Sequence, residues 1–197
     1  MLPVLDGTTP LFIHALDLQQ IREALDFTLQ RKLDFVLVGG QDAWRVADTL
    51  KARGIDVILH APFDLPLRRH EGHDVNYANA GKLASAGVKV AIASDASTFA
   101  ATLERNLPYA AAHAVSFGMP WDQGLRSITL TPAEILGVAD RIGSLDPGKD
   151  ASFLVSDGDP LDVRSEIVAA YLKGQPLDLS SKHTRLRDKF EGKYQPL

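Results

Sequence analysis

The sequence predicts an α/β fold built on a parallel sheet, and three observations support this. Short apolar runs alternate with stretches of helical periodicity through roughly the first 95 residues. The runs are almost continuously apolar, as is typical of strands covered on both faces. The intervening segments are long enough for helices, and strands joined in this way lie parallel with right-handed crossovers. Four strand–helix units are therefore expected in this part of the chain.

The predicted strands span residues 10–15, 34–39, 55–60 and 88–94. The first connecting helix is indicated by apolar residues spaced three and four apart, which form one stripe on a helix: Leu18, Ile21, Leu25 and Leu29. The second helix is expected to follow Ala43 and to end at Gly54, and the third to cover 76–86 before Gly87.

The second half of the chain is mainly helical and then rich in turns. Helices are expected at 105–118 and 121–128, and Thr131 to Glu134 has the signature of a helix start. Strand-like runs follow at 151–156 and 167–173. We therefore divide the chain into residues 1–138, residues 139–179, and a charged tail, 180–197, with a short surface helix.

Composition excludes several functional classes. The chain has 197 residues, 21 Lys and Arg, 25 Asp and Glu, and a net charge of −4, so a nucleic-acid partner is not expected. It has no cysteine, which excludes disulfides, thiolate metal sites and cysteine nucleophiles. No apolar run is long enough to span a membrane. The first residues do not resemble a signal peptide, so the chain as it stands is expected to be cytoplasmic.

Polar side chains are predicted at the carboxyl ends of three strands, where ligands bind in parallel α/β sheets. His14 ends the first strand, His60 ends the third, and Asp95 follows the fourth. Imidazole and carboxylate groups are suitable ligands for a divalent ion such as zinc. A carboxylate beside such an ion can also transfer the proton of a water molecule. The alternative is that these histidines are hydrogen-bonded residues without a ligand.

Other candidate residues favour structural roles. His70 and His73 have helical spacing, but Gly72 lies between them and favours a solvated loop. His113 lies in an alanine-rich helix and is interpreted as a packing or capping residue. Glycine-rich nucleotide loops and a Gly-x-Ser-x-Gly nucleophile motif are absent from the sequence.

The most specific stretch of the sequence is SITLTPAEILGVADRIGSLDPGKDASFLV, residues 127–155. It continues into Gly158-Asp-Pro-Leu161 and the strand that ends in Lys173-Gly-Gln-Pro176, and Arg105-Asn-Leu-Pro108 also fits. These segments resemble the carboxy-terminal part of the amidohydrolase superfamily, in particular its imidazolonepropionase-like members. The first half resembles the fifth to eighth units of that family's barrel.

The resemblance implies a partial (β/α) TIM-type barrel, made of the last four β/α units, followed by a small β-sandwich segment. It implies hydrolysis of a carbon–nitrogen bond of cyclic amide type in a small-molecule substrate. A divalent metal, zinc in the first instance, would activate the water molecule that attacks this bond. His14 matches the metal-binding histidine of the family's fifth strand, and Asp95 matches the aspartate that binds metal and shuttles the proton. His60 is not a standard ligand of the family, and it is the candidate for a third ligand.

The sequence departs from the family at several positions. The sixth strand ends in Val38-Gly-Gly-Gln41 without the expected histidine, and Ser152 stands where the family usually has aspartate. The first-strand His-x-His pair and the fourth-strand Lys or His have no counterpart in the chain. These departures predict an incomplete metal site and an incomplete or inactive fragment of a hydrolase.

Two other interpretations remain open. The chain could be a non-catalytic half-barrel that self-associates, because a sheet cut from a barrel exposes two edges and an apolar face. A missing amino-terminal half could cover the same surfaces. The second alternative to the hydrolase is a doubly wound α/β domain that binds a small molecule. In the hydrolase interpretation, the strands that end at His14 and Asp95 lie side by side in one parallel sheet, as the closing part of a barrel. Ends on opposite rims, or antiparallel neighbours in this region, would overturn that interpretation.

Overall fold

The main sheet has four parallel strands in the order β1-β2-β3-β4. The computed structural model describes residues 2–60, 63–94 and 100–193. The strands are β1 (Leu11–Ala15), β2 (Phe35–Gly39), β3 (Val57–His60) and β4 (Val90–Ala93). The predicted α/β fold with a parallel sheet is confirmed. The prediction that the first and fourth strands lie side by side is wrong, because β1 and β4 form the two opposite edges.

Helices follow the strands as the sequence predicts. Among the described residues they are α1 (Leu2–Leu5), α2 (Leu18–Arg31), α3 (Ala47–Ala52), α4 (Asn79–Ser85), α5 (Leu107–Ser116), α6 (Trp121–Ser127), α7 (Leu130–Ile135) and α8 (Lys182–Glu191). Short 3₁₀ helices precede α3 and α5, at Ala43–Val46 and Ala100–Asn106. None of the helices in the described part of the chain is long and apolar enough to cross a bilayer.

The largest helix, α2, has clear start and stop signals. The Asp17 carboxylate accepts a hydrogen bond from the Gln20 backbone N at 2.9 Å and caps the first turn. The helix ends where Lys32 adopts a left-handed conformation, with φ of 54°. Ile21 and Leu25, from the predicted apolar stripe, are buried in the core.

One face of the main sheet packs against the helices and forms the main core. Buried strand residues such as Leu37, Val57 and Ile92 contact buried residues of α2, α3, α4 and α5, among them Leu50 and Leu83. The full burial of these side chains fixes which face of each strand points to the helices, because side chains alternate along a strand.

Within residues 2–60, 63–94 and 100–193, the opposite face of the sheet is covered at only one end. Ile135 of α7 packs on Val36 and Ala91 near the amino ends of their strands. Towards the carboxyl ends, His14 is exposed. Phe12, on the same face of β1, has 43% of its surface exposed. This partly open face is the inner face of the expected barrel, and the described strands do not close a barrel.

The carboxy-terminal segment forms a separate three-stranded antiparallel sheet. Its strands are β5 (Phe153–Ser156), β6 (Ile167–Leu172) and β7 (Gln175–Pro176). The predicted β-sandwich remains a prediction, as do the boundaries after residues 138 and 179. The predicted surface helix in the tail is present as α8, where Ser181 caps the first turn.

The predicted start of α7 is wrong. In the sequence pattern the Thr131 hydroxyl can cap the helix, but the observed cap position is Thr129, two residues earlier, and Thr131 is buried within α7. The Thr129 side chain, at the observed cap position, makes no capping hydrogen bond.

Candidate active site

His14 and His60 meet at the carboxyl-terminal edge of the main sheet. His14 is paired across β2 with Val38 and then with Ile58, and His60 lies two residues beyond Ile58 on the same face. Their ring centroids are 6.2 Å apart, with the planes inclined by 50°. Two of the three predicted site residues are thus neighbours, although they belong to different strands, β1 and β3, with β2 between them.

The two imidazoles fit a divalent metal ion as part of a ligand set. Two imidazoles bound to one tetrahedral zinc at about 2.1 Å have ring centroids roughly 5 Å apart. The observed 6.2 Å is therefore within a modest side-chain rotation of that geometry. Asp95, the third predicted residue, lies outside the described residues. Within the described ranges, three metal-binding side chains do not converge anywhere.

Two glycines form the turn after β2, where the family resemblance would place a histidine. Gly39 and Gly40 both have positive φ, of 96° and 58°, so the chain reverses immediately after β2. A Cβ on Gly39 would lie 2.7 Å from Leu16 Cδ2, and one on Gly40 would lie 3.3 Å from Leu59 Cδ2. A larger residue at either position would strain the backbone and crowd its neighbours.

Buried amide side chains hold the loops around the two histidines. The Asn79 side chain donates to the carbonyls of Gly40 and Gln41 at 2.9 and 3.2 Å and accepts from the Trp44 backbone N at 3.2 Å. Asn76 donates to the carbonyls of Asp64 and Leu65 at 2.8 and 3.0 Å. The amide of Gln41 also donates to the Leu65 carbonyl. These bonds join the loop after β2 to the loop after β3.

A small cavity lies beside these amides. Its volume is about 30 Å³, room for one or two water molecules. The residues around it are His60, Gln41, Asp64, Asn76, Asn79, Leu16, Gly39 and Leu59. The cavity therefore offers polar partners next to one imidazole, but it is too small for an organic substrate.

A network of two carboxylates and two arginines fixes the loop after β3. Asp42, which is 3% exposed, accepts hydrogen bonds from Arg68 at 2.6 and 3.0 Å and from Arg45 at 3.1 Å. Glu71 accepts from the same two arginines. The Leu18 backbone N also donates to Asp42 at 3.0 Å. The network thus ties this loop to the start of α2.

The hydrogen bonds dominate the ionisation of Asp42. Burial alone would raise the pKa of its carboxyl, but the bonds from Arg68, Arg45 and the Leu18 backbone N hold that pKa below its usual value. Asp42 is therefore charged at neutral pH. Sequence reasoning did not find this network; its only signals are the spacings of three in Asp42–Arg45 and Arg68–Glu71.

Three of the four other histidines, His70, His73 and His113, have the structural roles that the sequence favours. His70 and His73 are exposed in turns, and no helix brings them together. His113 packs against Phe63, Tyr77 and Phe117, with centroid distances of 5.2, 4.6 and 4.8 Å. These three histidines do not join His14 and His60.

The model of the amidohydrolase family matches residues 34–183, well over half of the chain. Two curated relatives are similar over shorter segments. The amidohydrolase tasK of Hapsidospora irregularis is 36% identical over 80 residues, 38% of this chain and 8% of its own length. The imidazolonepropionase of Syntrophobacter fumaroxidans is 34% identical over 96 residues, 48% of this chain and 21% of its own. The chain therefore matches less than a quarter of either relative's length.

Solved structures share the fold over most of the chain. An amidohydrolase from Thermotoga maritima MSB8 has a TM-score of 0.79 and 27% identity, covering 89% of this chain and 45% of its own. A zinc-bound adenosine deaminase from Xanthomonas campestris has a TM-score of 0.61 and 19% identity, covering 93% of this chain and 50% of its own. Each structure is thus about twice as long as the part it shares. The family match and the shared fold together show that this chain belongs to the amidohydrolase family.

Proposed function

We propose that this chain carries part of the catalytic site of a metal-dependent hydrolase that cleaves the carbon–nitrogen bond of a cyclic amide. The approach of His14 to His60 at the carboxyl-terminal edge is the observation that carries the proposal. Family membership and the similarity to an imidazolonepropionase support the reaction class.

In this proposal His14 and His60 hold a divalent ion, zinc in the first instance, and Asp95 completes the ligand set. A divalent ion bound there would lower the pKa of a water molecule and polarise the substrate carbonyl. Asp95 would take the proton of the attacking water and return it to the leaving nitrogen. His14 is exposed, so an incoming substrate can reach its imidazole.

The loops beside the two histidines have a positioning role in the proposed reaction. Asn79 and Asn76 fix the backbone around Gln41 and Leu65, and Asp42 fixes Arg68. Loops held at several points keep binding groups in place before the substrate arrives, which lowers the entropic cost of reaching the transition state.

The test combines metal binding with hydrolysis. We expect His14→Ala and His60→Ala each to weaken zinc binding at least tenfold in calorimetric titration, and to abolish hydrolysis of a panel of cyclic amides. His73→Ala is the matched control, because His73 is an exposed histidine in a turn, and it should change neither quantity. Equal zinc affinity in all three variants would contradict the proposal and leave a non-catalytic scaffold as the better interpretation.

A further inference from the structure

One buried amide beside His60 has a side-chain oxygen that the fold leaves unpaired. Asn76 is 7% exposed, and its Nδ2 donates to the carbonyls of Asp64 and Leu65 at 2.8 and 3.0 Å. A carbonyl oxygen can only accept, so these two partners fix which end of the amide is the nitrogen. Within the described ranges, Asn76 Oδ1 has no hydrogen-bond partner. A buried oxygen of this kind requires a donor, most simply a water molecule.

The neighbouring buried amide has its hydrogen bonds within the fold. Asn79 donates to the carbonyls of Gly40 and Gln41, and its oxygen accepts from the Trp44 backbone N. Both of its donors and its acceptor are therefore used by the loops. The two amides thus differ, because Asn79 serves the loops alone, whereas Asn76 keeps an acceptor in addition to its loop contacts.

The small cavity beside His60 suits a water molecule. Its volume of about 30 Å³ exceeds the space that one water needs. Asn76 and His60 both line it, together with Gln41 and Asp64. Gln41 donates through Nε2 to the Leu65 carbonyl, which leaves its Oε1 as an acceptor. A buried water typically makes about three hydrogen bonds, and these side chains supply that number of polar partners.

The balance of donors and acceptors around the cavity determines the role of His60. Three side-chain groups compete for the two hydrogens of a water molecule: Asn76 Oδ1, Gln41 Oε1 and the Asp64 carboxylate. The oxygen of that water is then left to accept, so the His60 nitrogen nearest to it carries a hydrogen. A neutral imidazole has one N–H, and its other nitrogen therefore keeps the lone pair that a metal ion binds.

We propose that Asn76 is a positioning residue for His60: through a water molecule in this cavity, it holds the imidazole in one tautomer and leaves the other ring nitrogen for a metal ion shared with His14. The two rings are 6.2 Å apart, so one ion can lie between them after a modest rotation. Histidine ligands of metals usually donate their second N–H to such a partner. The role of the metal ion rests on the proposed function, whereas the water bridge and the tautomer do not.

The first test examines the wild-type chain. Long-range ¹H–¹⁵N NMR at about pH 8, where an ordinary histidine is neutral, should show His60 in a single tautomer. His183, which is exposed on α8, is the internal control and should show both tautomers of a neutral imidazole. A crystal structure should place a water molecule within about 3.2 Å of Asn76 Oδ1 and of a His60 nitrogen. Mixed tautomers at His60, or no bridging water, would overturn the proposal.

Two variants separate the water bridge from the loop contacts of Asn76. Asn76→Leu removes the acceptor and the donors together, whereas Asn76→Asp keeps an acceptor oxygen and loses the donors to Asp64 and Leu65. We expect both His60 tautomers in Asn76→Leu and a single one in Asn76→Asp. Mixed tautomers in both folded variants would mean that Asn76 only holds the loop, which contradicts the proposal. Circular dichroism checks folding, and the wild-type measurements decide the matter if a variant does not fold.

Zinc titration distinguishes this inference from the proposed function. Zinc affinity should fall about 10- to 100-fold in Asn76→Leu, and Asn76→Asp should retain most of it. A wild-type chain with the water bridge and one His60 tautomer that binds no zinc would overturn the proposed function and leave the bridge standing. Zinc binding that is equally tight in the wild type and in Asn76→Leu would overturn the positioning role and leave the metal site in place.

Discussion

Asp42 is a buried carboxylate whose interactions join three segments of the chain. Removing it leaves Arg68 and Arg45 without their shared acceptor, and breaking a buried ion pair costs about 3 to 5 kcal/mol. Because both arginines are partly exposed, we expect Asp42→Ala to lower the free energy of unfolding by about 3 kcal/mol, the lower end of that range. Urea denaturation at pH 7 measures this loss.

The pH dependence gives a second measurement on the same variant. The folded chain holds the Asp42 pKa below its unfolded value of 3.8, so the stabilisation is present above that value. It is lost as the pH falls through the lowered pKa, and the difference between wild type and Asp42→Ala should shrink there. Asp188→Ala, which removes a pair with Arg187 on α8 in which both side chains are 63% exposed, is the control and should have no measurable effect at pH 7. Equal effects of the two substitutions would contradict the role of the network.

His113 is a histidine that the fold keeps neutral. Burial lowers the pKa of its imidazole below 6.5, and its buried Nδ1 has no hydrogen-bond partner. As the pH falls below about 6.5, the unfolded chain takes up a proton that the folded chain resists, so the free energy of unfolding decreases. His113→Phe should remove this dependence and be about 1 kcal/mol more stable than wild type at pH 5.5, because no polar atom is left unpaired.

Denaturation curves at pH 5.5 and 7.5 test this expectation. His183→Phe is the control, since His183 is exposed on α8. If the free energy of unfolding falls between pH 7.5 and pH 5.5 by the same amount in the wild type and in the His113→Phe variant, groups other than His113 cause the acid sensitivity.

The positions of His14 and His60 could be predicted from the sequence, whereas the supports around them could not. Each histidine ends an apolar run, and the carboxyl ends of parallel strands share one edge, so strand prediction alone brings them together. Asn76 and Asn79 bond mainly to backbone carbonyls of residues 40, 41, 64 and 65. Those contacts depend on loop conformations that one sequence does not specify.

Helix α4 packs unusually closely against the chain that follows α5. A Cβ on Gly81 would lie 2.8 Å from the Gly118 carbonyl carbon and 2.9 Å from the Met119 backbone N. These are backbone atoms and cannot rotate away, so Gly81→Ala should lower stability by about 1 to 3 kcal/mol. This is opposite to the gain of about 1 kcal/mol that alanine gives in an exposed helix.

Thermal denaturation of Gly81→Ala beside Ser85→Ala distinguishes the two effects. Ser85 is exposed in the same helix, so its substitution reports helix propensity without the close contact, and it should be neutral or slightly stabilising. A Gly81→Ala chain as stable as Ser85→Ala would show that α4 and the 117–119 segment can separate at little cost.

The strands and helices can be predicted from the periodicity of the sequence, but whether the strands close into a barrel cannot. Continuous apolar strands and the stripe on α2 predict four β/α units, and the sheet order confirms the parallel arrangement. Strand runs alone do not specify which strands are neighbours, so the sequence is also compatible with adjacent first and fourth strands. In an open sheet of four consecutive units they become the edges, and only the addition of further strands can join them.

The two sheets of the chain are coupled through Leu161, which is 5% exposed and belongs to the main core. Leu161 lies close to Gly124 of α6, and Trp121 Nε1 donates to Asp159 at 2.9 Å nearby. The segment between β5 and β6 is therefore anchored on the helical layer, and we expect the described elements of both sheets to unfold in one cooperative transition.

Leu161→Ala should shift that whole transition by about 3 kcal/mol, because it leaves a cavity in the shared core. Leu154→Ala, on the exposed face of β5, should shift it by less than about 1 kcal/mol. Two separate transitions, with Leu161→Ala affecting only one, would instead show that the carboxy-terminal sheet folds independently of the parallel sheet.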